Sequence, residues 1–261
     1  MRISKALLAG VVMLAACSAT PSTQAGGGSA VGVPSQRGEG LPYEILGTQV
    51  FDLPDPYSDI VYQVVINLPS SYGEDSSRTY PVVYVTDADY GFPMLRLIGR
   101  RMNGAGPKVE DFILVGLSYE KGQDSMESRR RDYTPTRNGA SDAPKGARHD
   151  ESLRYRDYLR DTLMPFVEGR FRAEPSRRVY VGHSYGGLLG AQILMTDPEI
   201  FGGYILGSPS FWFDKQYLLK QAPRLLEQLE TIEAEVYMYV GEYEAQRIGD
   251  KRLPSGSGDG G

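Results

Sequence analysis

The chain has 261 residues, with 33 acidic against 28 basic side chains, a formal net charge of −5 and 41% hydrophobic residues. This length suits one large α/β domain or two small ones around a substantial core. The acidic balance argues against a nucleic-acid binder, a mean hydropathy of −0.34 against a polytopic membrane protein, and a single cysteine against a disulfide framework.

In chain order, residues 1–16 come first. Arg2 and Lys5 precede an apolar stretch from Ala6 to Ala16. That stretch is too short to cross a hydrocarbon layer of about 30 Å as a helix, so it reads as a signal peptide outside the fold. It ends Leu14-Ala15-Ala16-Cys17, which resembles a bacterial lipobox. The lipobox resemblance implies lipidation of Cys17 and anchoring to a membrane of the bacterial envelope, on its periplasmic or outer-membrane face. Residues 17–40 are rich in Ser, Thr, Gly and Pro and read as a flexible tether. The folded domain is expected over 41–244.

Residues 44–53 and 60–68 read as an antiparallel strand pair, punctuated by Pro54, Asp55 and Pro56. Short Val-, Ile- and Tyr-rich runs follow at 82–85, 112–117, 179–181, 204–206 and 236–240, as in buried parallel strands. Tyr155, Leu159, Leu163 and Phe166 lie on one helical face, with Pro165 expected to kink or end that helix. Residues 188–195 and 217–229 are further helix candidates. Strands alternating with helices predict an α/β fold with a mixed, mostly parallel sheet and helices on both faces.

Gly182-His183-Ser184-Tyr185-Gly186 matches G-x-S-x-G between a strand and a helix, the setting of a nucleophile elbow. Such a turn strains the serine backbone and projects its hydroxyl above the sheet beside the helix N-terminus. There the Tyr185 N–H is placed to stabilise an oxyanion. There is no cluster of Cys and His and no P-loop motif, so neither metal nor cofactor is expected.

From about Leu46 to Glu244 the sequence resembles the putative-esterase family of α/β-hydrolases, which includes siderophore esterases and esterase D relatives. The resemblance is carried by Tyr80-Pro81-Val82-Val83-Tyr84-Val85-Thr86-Asp87, by residues 130–135 (Arg-Arg-Asp-Tyr-Thr-Pro) and 182–187, and by Gly207-Ser208-Pro209-Ser210-Phe211-Trp212 and 241–244 (Gly-Glu-Tyr-Glu). It implies Ser184 as nucleophile and an acid just after the strand at 236–240, Glu244 first and Glu242 second. It also implies a second oxyanion N–H from Ala88 or Asp89, in a loop spanning 87–90. Residues 129–135 are expected beside the pocket, where a guanidinium such as Arg131 would suit an anionic substrate; structural ion pairing is the alternative. Trp212 and Phe211 are read as an acyl-pocket lining or as core.

The family order places the catalytic histidine after the acid, yet the chain holds only His149 and His183. His183 lies inside the elbow, and His149 is expected on a surface loop. Residues 245–261 show no helical or strand periodicity and read as a disordered tail. The expectation is a C-terminally truncated or frameshifted member with the last strand and helix missing, leaving the strand at 236–240 as an open edge. The sequence reading is therefore an envelope-anchored serine ester hydrolase of impaired activity acting on a small-molecule ester, with no nucleic-acid partner. The alternatives are a non-catalytic lipoprotein remnant or binding protein, and an acyltransferase.

Overall fold

The computed structural model describes residues 40, 44–45, 47–105, 109–139, 143–242 and 244. The signal segment, nearly all of the tether, Cys17 and the tail at 245–261 lie outside the described residues.

Seven strands form one sheet: β1 Thr48–Pro54, β2 Val61–Asn67, β3 Tyr80–Thr86, β4 Ile113–Glu120, β5 Ala173–His183, β6 Gly203–Gly207 and β7 Glu235–Tyr239. Their spatial order is β1-β2-β4-β3-β5-β6-β7. β1 and β2 are antiparallel, β2 runs antiparallel to β4, and β4-β3-β5-β6-β7 are mutually parallel. The mixed sheet expected from the sequence is therefore present, with every strand-like run inside a strand or overlapping one.

Alternation along the strands separates two apolar layers. On one face Val82, Tyr84, Val115, Tyr180 and Leu206 join a large core with Tyr133, Tyr155, Tyr158, Leu163 and Leu189. Those side chains come from α2 Ser125–Tyr133, α3 Ser152–Tyr158, the turn Leu159–Leu163 and α5 Tyr185–Thr196; α4 Met164–Arg170 adds Met164 and Val167, and α6 Phe213–Leu226 adds Phe213 and Leu218. On the other face Val85 and Leu114 pack with Ala88 and with Phe92 of α1 Gly91–Ala105. The outer side of α1 leaves Met94, Leu97, Ile98 and Met102 exposed.

The expected disturbance at Pro165 takes a definite form. A π-helical turn, Leu159–Leu163, joins α3 to α4, and Pro165 sits in the first turn of α4. The helical backbone runs through this junction without a break, so the proline lacks an N–H for the turn before it, and the wider π-helical turn absorbs that irregularity.

β7 is the edge of the sheet among the described residues, and all five of its residues are exposed. Near the start of β6 and β7 a shallow concavity of ≈ 350 Å³ is lined by Val179, Ile205, Val236 and Tyr237.

Candidate active site

β5 delivers the chain to Ser184 and α5 begins at the next residue. Ser184 holds φ 55 and ψ −116, a backbone state costing on the order of 1–3 kcal/mol for a residue with a side chain. Its surroundings fix that state. The Ser184 N–H donates to the Gly207 carbonyl at 2.9 Å, while its carbonyl accepts from Leu188 N–H at 3.0 Å and from Ser210 N–H at 3.1 Å. Two glycines make the turn sterically possible. A Cβ on Gly182 would lie 2.4 Å from the Gly186 carbonyl oxygen, and one on Gly186 would lie 2.2 Å from Thr86 Oγ1. The elbow is therefore closed against its own helix and against the end of β3.

Ser184 Oγ is hydrogen-bonded to Ser210 Oγ at 3.2 Å, and Ser210 is almost fully buried. Among the described residues neither imidazole hydrogen-bonds Ser184 Oγ. His183 is exposed. His149, expected at the surface, is instead buried. Its ring lies 5.9 Å from the Phe213 ring, and Nδ1 faces the Ala147 carbonyl at 3.3 Å. Burial first, and the nearby Arg130 charge next, lower the His149 pKa below its ordinary 6.5, against the pull of the Ala147 carbonyl.

Tyr185 opens α5, so its amide belongs to the helix N-terminal end beside the nucleophile. Its ring contacts Phe213 at 5.8 Å and Trp212 at 5.9 Å. Ala88 does not match its expected role, because its N–H donates to the Leu117 carbonyl at 3.2 Å. An amide already spent on a strand carbonyl is no oxyanion donor, which leaves Asp89, the alternative in the same turn.

Asp87 orders that turn. It is fully buried, holds φ 55, and its carbonyl accepts from Tyr90 N–H and Gly91 N–H. Its carboxylate takes Arg129 Nε at 3.0 Å, Arg129 Nη2 at 3.2 Å, Tyr119 Oη at 2.8 Å and Tyr90 Oη at 2.9 Å. Burial and the Asp87 charge push both phenols up, so they stay protonated as donors.

Arg131, assigned from the sequence to substrate, faces the opposite way. Its guanidinium is 3% exposed and bonds Asp132 at 2.8 and 2.9 Å as well as Glu120. Asp132 also accepts from Arg154 and from the Tyr62 hydroxyl, each at 2.8 Å. This is a buried ion network, the structural alternative left open in the sequence. Trp212, by contrast, is 57% exposed, while Phe211 packs against the core.

Glu244 is exposed and anchored. Its Oε1 accepts from Ser208 Oγ at 2.6 Å and from Gly241 N–H at 3.3 Å. Ser208, at φ 41, follows the Gly207 that braces Ser184 and donates its N–H to the Tyr239 carbonyl at 2.8 Å. The carboxylate is thus tied to the backbone step next to the nucleophile's own support. Sequence reasoning gave no role to Ser210 or to the Asp87–Arg129 pair, although both lie in or beside the motifs it singled out. Among the described residues no group of His, Cys, Asp and Glu could hold a metal ion.

The sheet order and the strained serine between β5 and α5 define an α/β-hydrolase. A crystal structure of an IroE-like serine hydrolase from Shewanella oneidensis shares that fold, with TM-score 0.64 and 27% identity over 73% of this chain and 60% of that one. The family model described as putative esterase matches residues 59–247, and the chain belongs to that family. Ferri-bacillibactin esterase BesA of Bacillus subtilis is 31% identical over 188 residues, 69% of this chain and 64% of that protein. The siderophore enterobactin esterase of Emericella nidulans is 28% identical over 178 residues, 63% and 58% of the two chains. The chain therefore spans less than two thirds of the length of these curated relatives.

Proposed function

We propose that the site cleaves carboxylic esters, with Ser184 as the nucleophile and siderophore esters as the substrate class. The observation that carries this reading is the φ 55 elbow at Ser184, held by Gly207 and Ser210 beside the first residue of α5. Ser184 Oγ adds to the ester carbonyl carbon, and the carbonyl oxygen becomes an oxyanion facing the Tyr185 amide and the turn after β3. The C–O bond to the alcohol then breaks, the alcohol leaves with a proton, and water releases the acid from Ser184. The names of the relatives support the substrate class.

Among the described residues Ser210 holds the Ser184 hydroxyl without being a base and His149 is packed on Phe213. In this reading the described site works by oxyanion stabilisation and binding, roughly 10³–10⁴-fold over water. The Leu14-Ala15-Ala16-Cys17 motif supports a second element of the reading, a lipid anchor at Cys17 in the bacterial envelope.

Hydrolysis of p-nitrophenyl acetate tests the chemistry. Ser184→Ala should abolish nearly all activity above background, and the parent's pH–rate profile should lack an inflection near 6.5. Activity that survives Ser184→Ala would place the reaction elsewhere. A histidine-like inflection lost in His149→Ala would make His149 the base. Cys17→Ser should move the protein from a detergent-requiring to a soluble fraction; a parent already soluble without detergent refutes the anchor.

A further inference from the structure

Two backbone segments flank Ser184: the turn after β3, residues 87–90, and the first turn of α5. They are distant in sequence and must keep a fixed separation if their amides are to share one oxygen. One contact between them is steric, where Gly186 closes onto Thr86 Oγ1. The other runs through α2, a helix of neither segment. Arg129 of α2 forks onto both oxygens of Asp87, and its Cζ stands 5.2 Å from the centroid of the Tyr185 ring. The arginine is 8% exposed and Asp87 is fully buried. One cation therefore grips the turn by a bidentate ion pair and the first residue of α5 by its aromatic face.

We propose that Arg129 is a positioning residue for ester cleavage: it sets the spacing between the β3–α1 turn and Tyr185, and it is not a ligand for substrate anions. The inference rests on the reading of Ser184 as nucleophile and goes beyond it. Both forks of the guanidinium are turned to Asp87, so its charge is matched within the protein. Lysine offers a point charge without the planar fork and cannot hold both oxygens and the ring together. A displacement of about 1 Å at such a site costs on the order of 100-fold in rate.

The test uses the full chain carrying Arg129→Lys and Arg129→Met, the lysine variant keeping the buried charge where the methionine variant fails to fold. With p-nitrophenyl acetate, Ser184-dependent kcat should fall about 10- to 100-fold while KM stays within about 3-fold. Arg129→Lys should retain more activity than Arg129→Met. The lysine variant should also speed amide hydrogen exchange at residues 86–90 and 185–187 and leave β1 and β2 unchanged. Two results overturn the proposal: unchanged exchange in both segments, or a rise in KM confined to an anionic ester such as mono-p-nitrophenyl succinate. A parent lacking Ser184-dependent hydrolysis would sink the nucleophile reading alone, and the exchange measurement would still decide the role of Arg129.

Discussion

Asp87 is buried and gripped by Arg129, Tyr90 and Tyr119, and the half-buried Ser184 is braced by Gly207 and Ser210, whereas Glu244 hangs on two donors at an exposed sheet edge. The same contrast divides the sheet. Around β3 and β5 the tyrosine core is sealed by helices, while every residue of β7 is open to solvent. Positive backbone angles are held at Ser184 and Asp87 because neighbouring groups leave them no alternative. Strain persists only where its surroundings over-determine it, as they do at these two residues. The exposed half contributes a carboxylate whose position depends on a loop.

If that contrast is right, mutational costs should grade across the sheet. The largest belongs to Arg131→Met, which strands Asp132 in the core with only Arg154 and hydroxyls to face; the loss should be about 3 kcal/mol by urea denaturation. A loss under about 1 kcal/mol would break the picture of a closed, ion-braced half. Next comes Gly182→Ala, where the new methyl meets the Gly186 carbonyl and the Tyr180 ring. About 2 kcal/mol should be lost, visible as a lower melting temperature. An unchanged melting temperature would mean that the elbow can yield.

His149 sharpens the comparison through pH. Its folded pKa lies below its unfolded 6.5, so the unfolded chain takes up the proton first as pH falls. Its contribution is complete above about pH 7 and declines as pH drops through 6.5 toward the folded value. His149→Phe should keep the packing on Phe213 and flatten that part of the stability curve; an unaltered slope would show that another group titrates there. The smallest effect is expected at the open edge, where Glu244→Gln should change stability by less than about 0.5 kcal/mol. A larger loss would mean that the loop after β7 is as tightly held as the elbow.

What the sequence revealed follows the same line. Strands with Val, Ile and Tyr between turn residues were legible from 44 to 240 because burial writes itself into composition. The elbow was legible because glycine is demanded at 182 and 186 by contacts under 2.5 Å. α1 and α2 were not foreseen. α1 opens on Gly91 and Pro93 and turns Met94 and Leu97 outward, so its apolar period does not mark one buried face. α2 is dominated by charge, and its start rested on a quieter signal: Asp124 accepts from Met126 N–H and Glu127 N–H as an N-cap. Arg131 and His149 were misplaced for a shared reason. Polar residues are usually exposed, and only the fold shows that Asp132, Glu120 and Tyr62 gather inside around a guanidinium.

The strand order also bears on how the chain is made. Once β3 lies beside β4, the next three strands are added outward in the order in which they leave the ribosome: β5 on β3, β6 on β5, β7 on β6. None of these additions has to wedge between strands already paired. Each newly emerged strand meets a finished template, and each α-helical crossover has been synthesised before the strand that follows it. The domain can therefore mature vectorially, at the roughly 5–20 residues per second of translation. The Ser184 elbow, lying between β5 and α5, is complete in sequence before the acid-bearing edge has been translated.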